Sequence, residues 1–117
     1  MGLLKIESLT KFFGGVQAMN QVSFSVESHQ VTAVIGPNGA GKTTLMNVIT
    51  KVFPATSGRV KFKGEDITKL KPHEVAGRGI ARTFQNLRIL GDLTVLENVM
   101  TGCHCFTSAN LFDQVLS

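Results

Sequence analysis

A short apolar run, Val31-Thr32-Ala33-Val34-Ile35, leads directly into Gly36-Pro37-Asn38-Gly39-Ala40-Gly41-Lys42-Thr43-Thr44. No other stretch of the chain restricts the possible folds as much. The second segment satisfies the phosphate-loop pattern G-x-x-x-x-G-K-[ST] in full. The first has the near-continuous β-branched and apolar character of a strand buried on both faces. Strand, loop, helix and strand in this order predict a three-layer α/β domain, with an added antiparallel β region near the N-terminus.

The loop predicts a nucleoside triphosphate ligand with Mg²⁺. A triphosphate concentrates negative charge, so its site needs many inward-pointing donors and a backbone that can approach closely, which glycine permits. The backbone N–H groups of Gly39, Ala40, Gly41, Lys42 and Thr43 would surround the β-phosphate, with Gly36, Asn38 and Thr44 completing the loop. A helix starting near Lys42 would direct its positive N-terminal dipole at the same oxygens. The Lys42 ammonium would reach the β- and γ-phosphates. The Thr43 hydroxyl, at the helix start, suits Mg²⁺, a hard cation that takes few protein ligands and keeps waters.

Bulk composition restricts the alternatives. With 117 residues, 43% of them hydrophobic, the chain has room for one domain, residues 1–117. No stretch approaches the roughly 18 consecutive apolar residues of a membrane span. The start, Met1-Gly2-Leu3-Leu4-Lys5, has neither the basic flank nor the long apolar region of a signal peptide. Ile6 stands where a myristoylation motif needs Ser or Thr. The expected location is therefore the cytosol. The formal charge of +4 is scattered between Lys5 and Arg88, which suits a solvated surface with a phosphate site, and no nucleic-acid partner is expected. Cys103, His104 and Cys105 are contiguous with no second ligand pair, so they cannot close a tetrahedral metal site.

Periodicity places the remaining elements. Leu3–Leu9 and Val22–Glu27 read as strands bracketing a turn at Gly14-Gly15, Thr43–Thr50 as a helix, and Arg59–Lys63 as a half-exposed strand. Gly64, Glu65 and Asp66 mark a turn. Pro72 opens a short helix to about Ala76, which Gly77 and Gly79 end. Ile80–Phe84 is a further strand candidate. Thr94 and Glu97 form a capping box ahead of Leu96, Val99 and Met100, and Asn110–Leu116 reads as one or two more amphipathic turns.

Beyond the phosphate loop, Lys11-Phe12-Phe13-Gly14-Gly15 before it and Arg82-Thr83-Phe84-Gln85-Asn86 after it resemble the ATP-binding subunit of ABC transporters. The resemblance implies that the triphosphate is ATP and that Phe13 stacks on its adenine with Val16 beside it. It also implies that Gln85 reaches Mg²⁺ and the attacking water, as a catalytic group alongside Lys42, in a loop that senses the membrane subunits. The stretch Arg82–Leu90, followed by Leu93-Thr94-Val95-Leu96-Glu97-Asn98-Val99, resembles the ATPase subunits of branched-chain amino acid importers more narrowly. Urea importers and lipopolysaccharide export ATPases are the neighbouring alternatives. The pattern after Gln85 disfavours DNA-repair and chromosome-maintenance ATPases that share the head fold. The implied partners are membrane permease subunits and a second ATP-binding subunit, identical or not, and the implied location is the cytoplasmic face of the cell membrane. Two residues depart from the family: His29 and Lys51 stand where glycine is usual.

Family members run to about twice this length. The LSGGQ signature, the Walker B aspartate and glutamate and the switch histidine are not among these residues. The expectation is therefore the N-terminal part of such a P-loop NTPase domain, stopping before the signature and Walker B motifs. Such a chain would have the binding parts and lack the base for turnover. A truncated product that binds nucleotide without hydrolysing it is the remaining alternative.

Overall fold

The computed structural model describes residues 2–83 and 89–102. The chain divides into two units, Met1–Ile80 and Ala81–Ser117. The first unit is built on a hairpin of two long strands, β1 (Leu4–Phe13) and β2 (Val16–Val26). Gly14-Gly15 forms the two-residue connection, with Gly14 at φ 58°, so the expected turn is observed and both strands run up to it. β3 (Ser57–Phe62) pairs with the other edge of β1, and the two-residue β4 (Glu65–Asp66) follows β3 through the Lys63-Gly64 turn. Every pairing is antiparallel, in the order β2-β1-β3-β4. Both residues of the Lys63-Gly64 turn have positive φ, 52° and 80°, the backbone that two-residue hairpins favour because it matches the strand twist.

Simple alternation would send Ile6 and Leu9 to opposite faces of β1, yet both are buried. Ser8, at φ 47°, lies between them where the registers with β2 and β3 shift. An extra residue in one strand restores the inward orientation after it. Gly58 on β3 packs against this irregularity. A Cβ at Gly58, where φ is 92°, would fall 2.7 Å from the Glu7 carbonyl oxygen and from Leu9 Cα, and closer still to the Ser8 carbonyl. Only glycine fits there.

The inner face of the sheet carries Ile6, Leu9, Met19, Val60 and Phe62. Helix α1 (Lys42–Ile49) lays Leu45, Val48 and Ile49 into the same core, the i, i+3, i+4 stripe of an amphipathic helix. Ile67 and Val75, the latter on α2 (Pro72–Gly77), complete it. Pro72 occupies the start of α2 as expected, and the Glu74 carboxylate accepts the Lys71 N–H at 2.7 Å. Two short bonds from the Arg78 guanidinium to Glu65, 3.0 Å each, tie the end of α2 to β4.

The strand expected at Val31–Ile35 is not observed. These residues have no strand hydrogen bonding, and Val31 and Ile35 are 101% and 89% exposed. A parallel strand buried on both faces needs a strand on each side and helices above and below. Among the described residues all four strands belong to the antiparallel sheet, so this segment has no neighbour to pair with. Ile80–Thr83 likewise forms no strand, and Phe84 lies outside the described residues. Glu65-Asp66, expected within a turn, is the short strand β4 instead.

In the second unit, α3 (Val95–Thr101) begins at the expected capping box. Thr94 Oγ1 accepts the Glu97 N–H at 3.2 Å, and the Glu97 carboxylate accepts the Thr94 N–H at 2.7 Å. The Asn98 side chain holds the preceding turn, accepting from Leu90 N–H at 2.9 Å and donating to the Leu90 carbonyl at 3.2 Å. Cys103-His104-Cys105 and Asn110–Leu116 lie outside the described residues.

Candidate functional site

Between Gly36 and the start of α1 the backbone turns twice. The Ala40 N–H bonds back to the Pro37 carbonyl at 3.1 Å, and the Leu45 N–H bonds to the Gly41 carbonyl at 2.8 Å, beginning the helix. Gly41 is the N-cap, in the left-handed region at φ 94°. A Cβ there would lie 2.7 Å from the Ala18 carbonyl oxygen, so the loop rests directly on β2 because Gly41 has no side chain.

The electrostatics of the α1 start favour an anion. No side chain caps the helix, and no acidic residue occupies its first turn. Its first N–H groups therefore remain available, and the helix dipole adds positive potential at the same point. The Lys42 ammonium curls over the loop and donates to the carbonyls of Gly36 and Pro37, the latter at 3.2 Å. This holds a cation at the mouth of the loop. Thr43 is exposed on the first turn.

A cavity of about 320 Å³ in front of the loop is lined by Val16, Asn38, Gly39, Gly41, Lys42, Thr43 and Thr44, together with Gln17 and Ala18 from β2. Gly36 and Ala40 stand in the loop itself, their side-chain positions in mutual contact range. Phe13 is outside this lining, but it pairs across the hairpin end with Val16. Phe13 is 41% exposed, touches Phe53 in a T-shaped contact at 5.2 Å, and carries the Lys11 ammonium 4.9 Å from its ring centre. Gln85 lies outside the described residues. Gln17 and Ala18 were not singled out from sequence. Their only signal is their position two and three residues past the hairpin turn.

The two departures from the family pattern both occupy left-handed backbone: His29 at φ 60° and Lys51 at φ 66°. Lys51 directly follows the C-cap of α1, where glycine is the usual solution. Its side chain is buried, its ammonium has no hydrogen-bond partner among the described residues, and burial pushes its pKa below the ordinary lysine value, with Asp66 opposing the shift.

The sequence profile of the ABC transporter family matches residues 19–117. The chain belongs to that family. Among curated proteins, it is 47% identical to a probable branched-chain amino acid transport ATP-binding protein, LivG, of Archaeoglobus fulgidus, over 86% of this chain and 39% of that one. It is 42% identical to the high-affinity branched-chain amino acid transport ATP-binding protein BraF of Pseudomonas aeruginosa, over 92% of this chain and 42% of that one. The chain thus spans about two fifths of the length of these relatives.

Solved structures agree on the fold. An ATP-binding cassette of an ABC transporter in its ADP conformation matches 100% of this chain and 46% of its own length, at 44% identity and a TM-score of 0.81. A nucleotide-free cassette matches 97% of this chain and 51% of its own, at 38% identity and a TM-score of 0.78. The fold is therefore that of the P-loop ATP-binding cassette, including its antiparallel β region. Among the described residues no helix is long and apolar enough to cross a membrane.

Proposed function

We propose that this chain supplies the nucleotide-binding part of an ABC transporter ATPase subunit that powers import of branched-chain amino acids. The observation that carries the reading is the uncapped start of α1 beside Lys42 at the mouth of a glycine loop. It gains support from the relatives described above, which are branched-chain amino acid transport ATP-binding proteins.

The residues fit Mg-ATP. The free N–H groups at the start of α1 suit phosphate oxygens, and Lys42 can exchange its loop carbonyls for the β- and γ-phosphates. Thr43 would hold Mg²⁺, and Gln85 would reach the same ion and the attacking water. Mg²⁺, when bound, neutralises charge on the transferring phosphoryl group. Phe13 and Val16, cross-strand neighbours at the hairpin tip, provide the platform for adenine. Loop atoms and Lys42 bind and orient, while water activation requires a carboxylate base that the described site does not contain.

In the whole protein, two ATP-binding subunits pair, and the segment containing Gln85 passes the movement to membrane permeases from the cytoplasmic side. The test is uptake of labelled leucine, isoleucine and valine by cells whose only copy of the protein carries Lys42→Ala. Loss of uptake of these three solutes with urea uptake intact is the expected result. Unchanged leucine uptake, or loss of urea uptake alone, would refute the import assignment.

A further inference from the structure

Phe13 sits at an exposed hairpin tip, where an isolated phenylalanine would sample several rotamers. It is not isolated. Phe53 meets it in a T-shaped contact with ring centres 5.2 Å apart and planes at 84°, and the Lys11 ammonium lies 4.9 Å from the Phe13 centroid and 6.0 Å from that of Phe53. Lys11 thus covers one face of the Phe13 ring, and the residue remains 41% exposed for a second contact.

The segment carrying Phe53 is fixed at both ends. The Phe53 N–H bonds to the Asn47 carbonyl on α1 at 3.3 Å. Three residues later, the Thr56 N–H bonds to the Thr10 carbonyl at 2.9 Å, and Thr56 Oγ1 accepts the Phe12 N–H at 3.0 Å. The same short segment is therefore tied to the hairpin arm bearing Phe13 and to the helix whose first turn bears Lys42 and Thr43.

From this geometry we infer that Phe53 is a positioning residue for the purine base: with Lys11 it locks the Phe13 ring and fixes its distance from the phosphate-binding helix. The inference rests on the proposed reading of Phe13 as the adenine platform. A ligand held at base and phosphates together gains from a fixed separation, because the ordering is completed before binding. A ligand consisting of phosphates alone gains nothing from it. An aromatic pair of this geometry is worth enough to alter affinity about 3- to 10-fold.

The experiment is calorimetric titration of the 117-residue chain and its Phe53→Leu, Phe53→Tyr, Phe13→Ala and Phe13→Ala/Phe53→Leu variants with ATP and with inorganic tripolyphosphate. Phe53 is 37% exposed, so leucine keeps its apolar contacts, and tripolyphosphate binding reports that the loop is intact. Phe53→Leu should weaken ATP about 3- to 10-fold and leave tripolyphosphate within about twofold, Phe53→Tyr should restore ATP binding, and Phe53→Leu should have no further effect once Phe13 is alanine. Parallel loss of both ligands, or an equal loss in the Phe13→Ala background, would overturn the inference. If Phe13→Ala weakens ATP while Phe53→Leu does not, Phe53 has no positioning role and the platform reading stands. If Phe13→Ala changes nothing, the platform reading fails, and the inference with it.

Discussion

Gly41 and Ala18 meet so closely that a single methyl group would separate them. The αL N-cap of α1 lies against the β2 carbonyl, where a Cβ would come within 2.7 Å of oxygen. This contact seats the phosphate loop on the antiparallel sheet, although the segment preceding the loop, Val31–Ile35, is unpaired.

Gly41→Ala should therefore act on both binding and stability. The backbone at φ 94° strains any residue with a Cβ, at about 1 to 2 kcal/mol, and the clash with Ala18 adds to it. Thermal unfolding should shift downward, and ATP affinity should fall as the loop is pushed off β2. An unaltered melting temperature with unaltered ATP binding would mean that the loop does not need this seat.

Lys51 combines two costs, a left-handed backbone without glycine and a buried ammonium without a hydrogen-bond partner among the described residues. Lys51→Met removes the second, worth about 1 to 3 kcal/mol for an unsatisfied buried group. Lys51→Gly removes the first as well, worth about 1 kcal/mol more. Both variants should melt higher than the parent, with glycine the higher. Because the folded-state pKa is lowered, the parent's own stability should rise with pH above that pKa until the unfolded lysine range is reached, and Lys51→Met should abolish this rise. A lower melting temperature for both variants would show that the ammonium has a stabilising partner.

Three carboxylates lie below their usual range: Glu65 through its bonds from Arg78, Asp66 through the hydroxyl and N–H of Thr68, and Glu7 through Lys5, with Lys61 and Arg59 adding to it. Lowered pKa values mean stability that is present above the unfolded carboxylate range and is lost as pH falls through the folded values. Thermal scans from neutral to acidic pH should show this loss, and Glu65→Gln should flatten part of it. Glu65 and Asp66 are exposed and Glu7 is half-buried at the surface, so high salt should weaken the effect. A melting temperature independent of pH across the acidic range would contradict it.

What the sequence made legible was local. The Gly14-Gly15 turn, Pro72 at the start of α2, and the Thr94/Glu97 capping box each depend on residues within a few positions, and each forms as expected. Val31–Ile35 has the composition of a buried strand, but composition cannot supply the neighbours a strand needs. The irregularity at Ser8 was hidden because serine gives no bulge signal, and its partner Gly58 lies far along the chain. Phe53 was missed for the same reason: its contact with Phe13 spans 40 positions. In the sequence His29 and Lys51 stand out only as departures from a glycine pattern, and both occupy backbone of positive φ, which glycine adopts most readily.

The described lining of the phosphate loop contains no carboxylate, and a loop with no base beside it should bind nucleotide and not turn it over. Of the acidic residues near α3, Glu97 is committed to its capping box, which leaves it unsuited to activate water. The purified chain should release phosphate from ATP no faster than its Lys42→Ala variant. Robust release that depends on Lys42 would place a base within these 117 residues.

The most direct measurement is titration of the chain and of Lys42→Ala with a fluorescent ATP analogue in the presence of Mg²⁺. Bonds to Gly36 and Pro37 hold the Lys42 ammonium at the mouth of the loop. A charge-assisted contact of about 1.5 to 3 kcal/mol corresponds to a loss on the order of 10- to 100-fold in affinity. That loss is the predicted result. Equal affinities for the two proteins would contradict the assignment of this loop as the nucleotide site.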